Sequence, residues 1–130
     1  MRPLALAVAL FAACSSAVVD SAGIDVICER SDGDCSAVDV QTVARVFRYQ
    51  WPLDDDVLHV HIVDDASYTL SPSSVYVSTE KELLHELLHV HLWRVDGFAD
   101  DAHHFDVRGS WRYQDSLLLE ALEEEFAPSR

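Results

Sequence analysis

The chain has 130 residues, enough for one domain, and 49% of them are hydrophobic, so a buried core can form. The formal charge is −14, and only nine Lys and Arg are spread along the chain. This excludes a surface built to neutralise nucleic-acid phosphates or to lie on an anionic membrane, and the acidity is read as serving solubility.

Met1-Arg2-Pro3, then an apolar run from Leu4 to Ala13, reads as a secretory signal peptide over residues 1–14. The run is too short to span a bilayer. Phe11-Ala12-Ala13-Cys14 resembles a bacterial lipobox, which makes Cys14 a lipidation site and a lipid anchor the only expected membrane link. The competing exit is ordinary cleavage after Ser15-Ser16-Ala17. Either exit places the mature chain in the bacterial cell envelope or outside the cell. Three cysteines are odd for an exported protein, and lipidation of Cys14 leaves Cys28 and Cys35 as a pair. Within the N-terminal segment 15–35 these two bracket a polar hexapeptide with an Asp32-Gly33 turn. A disulfide there is expected in an oxidising compartment.

Residues 36–130 are read as the functional domain. Val38, Val40, Val43, Val46 and Phe47 predict a helix over Ser36–Gln50, ended by Pro52. Val57–Val63 predicts a strand with Leu58, Val60 and Ile62 on its apolar face and His59 and His61 on a solvated one. Asp64–Ser67 reads as a turn. Ser74–Ser78 reads as a second strand, whose edge is expected to pair an extended peptide.

Thr79 and Glu82 form a capping box, so a helix starts there. Leu83, Leu84, Leu87, Leu88 and Leu92 give that helix an apolar surface, and Gly97 can end it in a left-handed cap. Its first turns carry His85-Glu86-Leu87-Leu88-His89, the HExxH signature of a zinc-dependent hydrolase. Histidines four residues apart lie about 40° apart around a helix, so both imidazoles can reach one ion. Glu86 beside them can reach a water on that ion. Three protein ligands plus water complete a catalytic zinc site. The loop after Gly97 delivers His103-His104, either of which can close on the metal.

His85–His89, then fourteen residues (90–103), then His104-Phe105 resembles the active-site segment of SprT-like zinc metallopeptidases, which are gluzincin-type zincins. The likeness covers about residues 80–113. It implies zinc held by His85, His89 and His104, with His103 as the alternative third ligand. Phe105 stands where that family usually has glycine, and no cysteine-rich ribbon follows. The longer HExxHxxGxxH pattern is absent, because Leu92 occupies its glycine position. Asp100, Asp101 or Asp106 can orient a ligand imidazole through its second nitrogen. Tyr113 and His103 are candidate transition-state stabilisers.

The last expected helix runs from Ser110 to Phe126, with Leu117, Leu118, Leu119, Ala121, Leu122 and Phe126 inward and Glu120 and Glu123–Glu125 solvated. The expected fold is α+β: a minimal zincin-like core, with a small twisted sheet, a supporting helix, the HExxH helix and a C-terminal helix. The expected function is a small exported zinc metallopeptidase acting on peptides or proteins, with Glu86 as general base. The alternative is a non-catalytic lipoprotein that sequesters zinc. A sequestering protein has no need of Glu86, which favours the enzyme.

Overall fold

The computed structural model describes residues 18–19, 23–97 and 113–126. Its architecture is α+β. Four strands of four or five residues form a mixed sheet: β2 (Ile24–Cys28), β3 (Leu58–Ile62), β4 (Tyr68–Ser71) and β5 (Ser74–Val77). The two-residue β1 (Val18–Val19) extends it, giving the order β1-β2-β3-β5-β4. β2, β3 and β5 are parallel, and β1 and β4 are antiparallel edge strands. Three helices follow among the described residues: α1 (Val40–Arg48), α2 (Glu80–Asp96) and α3 (Tyr113–Glu125).

The register explains the two faces of the sheet. Val26, Val60, Val75 and Thr69 form one row across it, and Ile24–Leu58 and Cys28–Ile62–Val77 form its neighbours. Leu58, Val60, Ile62, Val75 and Val77 are buried in the core that they share with residues of α1 and α2. The opposite face carries Ile27, His61, Tyr76 and Tyr68 in one row. There the rings of His61 and Tyr76 stack at 4.1 Å, and those of Tyr76 and Tyr68 at 4.8 Å. His59 and His61 lie on that face as expected, with His59 bound to Asp25 and His61 to Glu29, each at 2.8 Å.

α1 is shorter than the apolar pattern suggests. Asp39 is its N-cap, accepting from Thr42 N–H at 3.1 Å and Thr42 Oγ1 at 2.8 Å. That cap satisfies an orphan donor and fixes the start at Val40 rather than Ser36. The disulfide Cys28–Cys35 is formed, with Cα atoms 5.9 Å apart. The sheet begins upstream of residue 36, since β2 pairs with β3 along its whole length.

Two expectations change. β5 is not an edge strand: it lies between β3 and β4, and the exposed edge beside α2 is β4. β4 alternates in burial, with Tyr68 and Leu70 outward and Thr69 and Ser71 inward. The last helix is also rotated from the expected register. Asp115, Ser116 and Leu119 are buried, with Leu122, Glu123 and Phe126 half-buried, while Leu117 and Leu118 are 49% and 39% exposed. Three consecutive leucines span too wide an arc for one helical face. Asp115 settles the rotation by accepting the indole N–H of buried Trp51 at 3.1 Å.

Candidate active site

α2 is fixed at both ends before its motif is presented. Thr79 Oγ1 accepts from Glu82 N–H, and Glu82 Oε1 accepts from Thr79 N–H, both at 3.1 Å, which completes the capping box. Glu82 Oε1 also accepts from Ser78 N–H and Ser78 Oγ. Arg30, inside the disulfide loop, donates to Ser78 O, and Asp39 N–H donates to Glu80 Oε2. At the far end Gly97 takes φ 83° and donates to Trp93 O at 2.8 Å. A left-handed C-cap favours glycine there. Arg94 reaches back to Pro72 O and Asp54, tying the helix to the β4–β5 turn.

Rotation about the helix axis is set by burial. Leu83, Leu84, Leu87, Leu88 and Val90 are at most 1% exposed, and full burial of each leucine stabilises by roughly 1.5–3 kcal/mol. His85, Glu86 and His89 are thereby brought to one region beside β4. His85 is half-buried, while Glu86 and His89 are 5% and 8% exposed.

The ring centroids of His85 and His89 are 5.1 Å apart, with planes at 61°. Two imidazoles on one tetrahedral zinc, with Zn–N of about 2.0–2.1 Å, place their centroids roughly 5 Å apart. The two residues therefore fit a shared ion. Among the described residues, no group of three or more His, Cys, Asp or Glu is arranged to hold a metal. A three-ligand site built on His85 and His89 would take its third ligand from outside that set. The expected third ligand His104, its alternative His103, the loop acids Asp100, Asp101 and Asp106, and Cys14 all lie outside the described residues. Tyr113 opens α3, with its side chain also outside them. Glu120 is solvent-exposed.

Glu86 is held by two hydroxyls that sequence reasoning did not select. Ser67 Oγ donates to Glu86 Oε2 at 2.8 Å, and Thr69 Oγ1 donates to Glu86 Oε1 at 2.7 Å. The Thr69 hydroxyl also lies 3.3 Å from the Glu86 carbonyl oxygen. The two hydroxyls grip opposite oxygens of the carboxylate and fix its plane. Thr69 is an inward-facing residue of β4, and Ser67 immediately precedes that strand. Thr69 ends the row Val26–Val60–Val75, where the sheet edge meets α2.

A cleft of about 430 Å³ opens beside His85 and Glu86, lined by these two with Ser67, Thr79, Lys81, Glu82 and Glu123. Burial pushes the Glu123 carboxyl above its usual range; Lys81 opposes this and Glu120 adds to it. Glu123 was expected on the solvated face of the last helix and instead borders the cleft. The remaining described histidines are engaged elsewhere. His91 Nδ1–H donates to Pro52 O at 2.7 Å, and His59 and His61 sit on the far side of the sheet.

Compared with family models, curated proteins and solved structures, the chain matches none. The functional reading rests on the motif and its setting.

Proposed function

We propose that this protein is a small zinc metallopeptidase with a minimal zincin-like core of the SprT-like kind. One observation carries the reading: His85 and His89 present their rings 5.1 Å apart, next to a buried Glu86 held beneath an antiparallel edge strand. A histidine pair alone is explained by sequestration. A buried, oriented carboxylate beside it is explained by proton transfer.

Zinc on His85, His89 and His104 (or His103) would polarise the scissile carbonyl and lower the pKa of its water toward 7. Glu86 takes the proton from the attacking water and delivers it to the leaving amine. Ser67 and Thr69 keep its carboxylate in one orientation through both transfers. The β4 edge offers main-chain groups to an extended peptide, which positions the substrate along α2. The Cys28–Cys35 disulfide supports export, with the chain lipid-anchored at Cys14 or released after ordinary cleavage.

The rival reading is a zinc-sequestering lipoprotein, in which Glu86 serves only as an acceptor that docks β4 on α2. Incubating the zinc-loaded full chain with an unfolded protein decides between them. Chelator-sensitive cleavage supports the peptidase. Tight zinc binding without cleavage of any substrate in a broad peptide library replaces it with the sequestering protein.

A further inference from the structure

We propose that the cleft beside His85 and Glu86 is a specificity pocket for a lysine or arginine side chain of the substrate, with Glu123 as its acidic anchor. This rests on the peptidase reading and adds a substrate class to it.

The lining is the first argument. Among the described residues, the lining side chains Ser67, Thr79, Lys81, Glu82, His85, Glu86 and Glu123 each carry a polar or charged group. An apolar substrate side chain placed there would remove water from carboxylates and hydroxyls without replacing their hydrogen bonds, which is costly. The cleft is therefore suited to a polar or charged group.

The sign of that group follows from which charges are already engaged. Glu82 accepts three donors at the helix cap, and Glu86 accepts from Ser67 and Thr69. The Glu123 carboxylate makes no hydrogen bond or ion pair among the described residues. Lys81 lines the same cleft but is exposed and does not bridge to it. Glu123 nevertheless lies on the inward stripe of α3 with Leu119, Leu122 and Phe126. A half-buried carboxylate without a bridging cation is disfavoured by lost hydration, and its raised pKa reports that cost. A cationic side chain reaching it would restore the missing partner. The −14 charge of the chain also draws basic peptides toward it. An acidic substrate group would meet one cation, Lys81, against three carboxylates, Glu82, Glu86 and Glu123.

The test uses the full zinc-loaded chain and peptides that differ only at the residue flanking the scissile bond: Lys, Arg, Leu or Glu. Lys and Arg peptides should be cleaved with kcat/KM about tenfold above the Leu peptide, with Glu poorest. Glu123→Gln should erase the preference while leaving cleavage of the Leu peptide near the parent value. Glu123→Lys should turn it toward the Glu peptide. Equal cleavage of all four by the parent, or a preference that survives Glu123→Gln, overturns the pocket and leaves the peptidase reading standing. If no peptide is cut, the peptidase reading has failed, and equilibrium binding of the same peptides to the parent and Glu123→Gln chains decides the pocket separately. Tighter binding of Lys and Arg peptides that depends on Glu123 supports it, and indifference overturns it.

Discussion

Thr69 Oγ1 donates to Glu86 Oε1 at 2.7 Å, and through that bond the edge strand of the sheet holds the second residue of the HExxH motif. The Thr69 side chain touches neither metal nor substrate in the proposed mechanism and acts by positioning Glu86. Thr69→Val keeps the β-branched shape and removes the donor. It is expected to lower kcat about ten- to a hundredfold, with smaller change in KM and unchanged zinc content, because a misplaced base costs rate rather than binding. Thr69→Ser should recover most of the loss. A kcat unaffected by Thr69→Val would show that the bond serves only to dock β4.

Zinc content tests the ligands directly. The purified mature chain should hold about one zinc per chain through three protein ligands. His85→Ala or His89→Ala should abolish it, as measured by elemental analysis after dialysis. His104→Ala should weaken binding strongly while His103→Ala keeps the stoichiometry, and the reverse result moves the third ligand by one residue. Full retention in both α2 variants would remove the metal centre altogether.

Asp39 offers a stability test away from the site. Hydrogen bonds from the Thr42 side chain and backbone lower its pKa from 3.8. A depressed folded-state pKa means the contribution is present above the unfolded value and is lost as pH falls through the folded one. Asp39→Ala should cost about 1 kcal/mol at neutral pH, the usual value of an N-cap. The gap between parent and variant in urea unfolding should shrink as pH drops below 3.8. A gap that stays constant down to pH about 2 would assign the loss to something other than the carboxylate.

The cysteines report compartment and anchoring. Cys28 and Cys35 should resist thiol reagents until reduced. Reduction should lower stability by about 2–3 kcal/mol on the loop-entropy account. Cys14→Ser should abolish lipid labelling and release the chain in soluble form. A parent chain that carries no lipid would point to ordinary signal cleavage instead.

Local chemistry made some of this legible in the sequence. The capping box at Thr79–Glu82, the left-handed cap at Gly97 and the alternation of Leu58, Val60 and Ile62 each follow from residues close together in the chain, and each is present. What was hidden depends on distant pairing. β2 carries Asp25 among apolar residues, and only its alignment with His59 on β3 shows why a buried acid is tolerated there. β4 is four residues of mixed polarity, and its place at the edge follows from its hairpin with β5. The triplet His85, Glu86 and His89 could be read from spacing. Ser67 and Thr69 could not, because they are 17 to 19 residues away from Glu86 and meet it only when the sheet closes. Glu123 was obscured by its neighbours: in a run of three glutamates, only the rotation set by Asp115 and Leu119 turns one of them inward.

Glu86 separates an enzyme from a zinc carrier. In the proposed mechanism it supplies general-base catalysis, typically worth 10²–10⁴-fold, and it does not hold the metal. Glu86→Gln keeps the side chain's length and can still accept from Ser67 or Thr69 through its one remaining oxygen, so α2 and β4 should stay docked. Zinc content and urea unfolding should remain near parental values, while cleavage of an unstructured protein falls by at least about a hundredfold. Lost zinc or lost folding in this variant would mean that Glu86 is structural, and its two hydroxyl donors would then be the reason it is buried. Parental activity in Glu86→Gln would exclude it as the base and leave the HExxH spacing as a metal-binding pair alone.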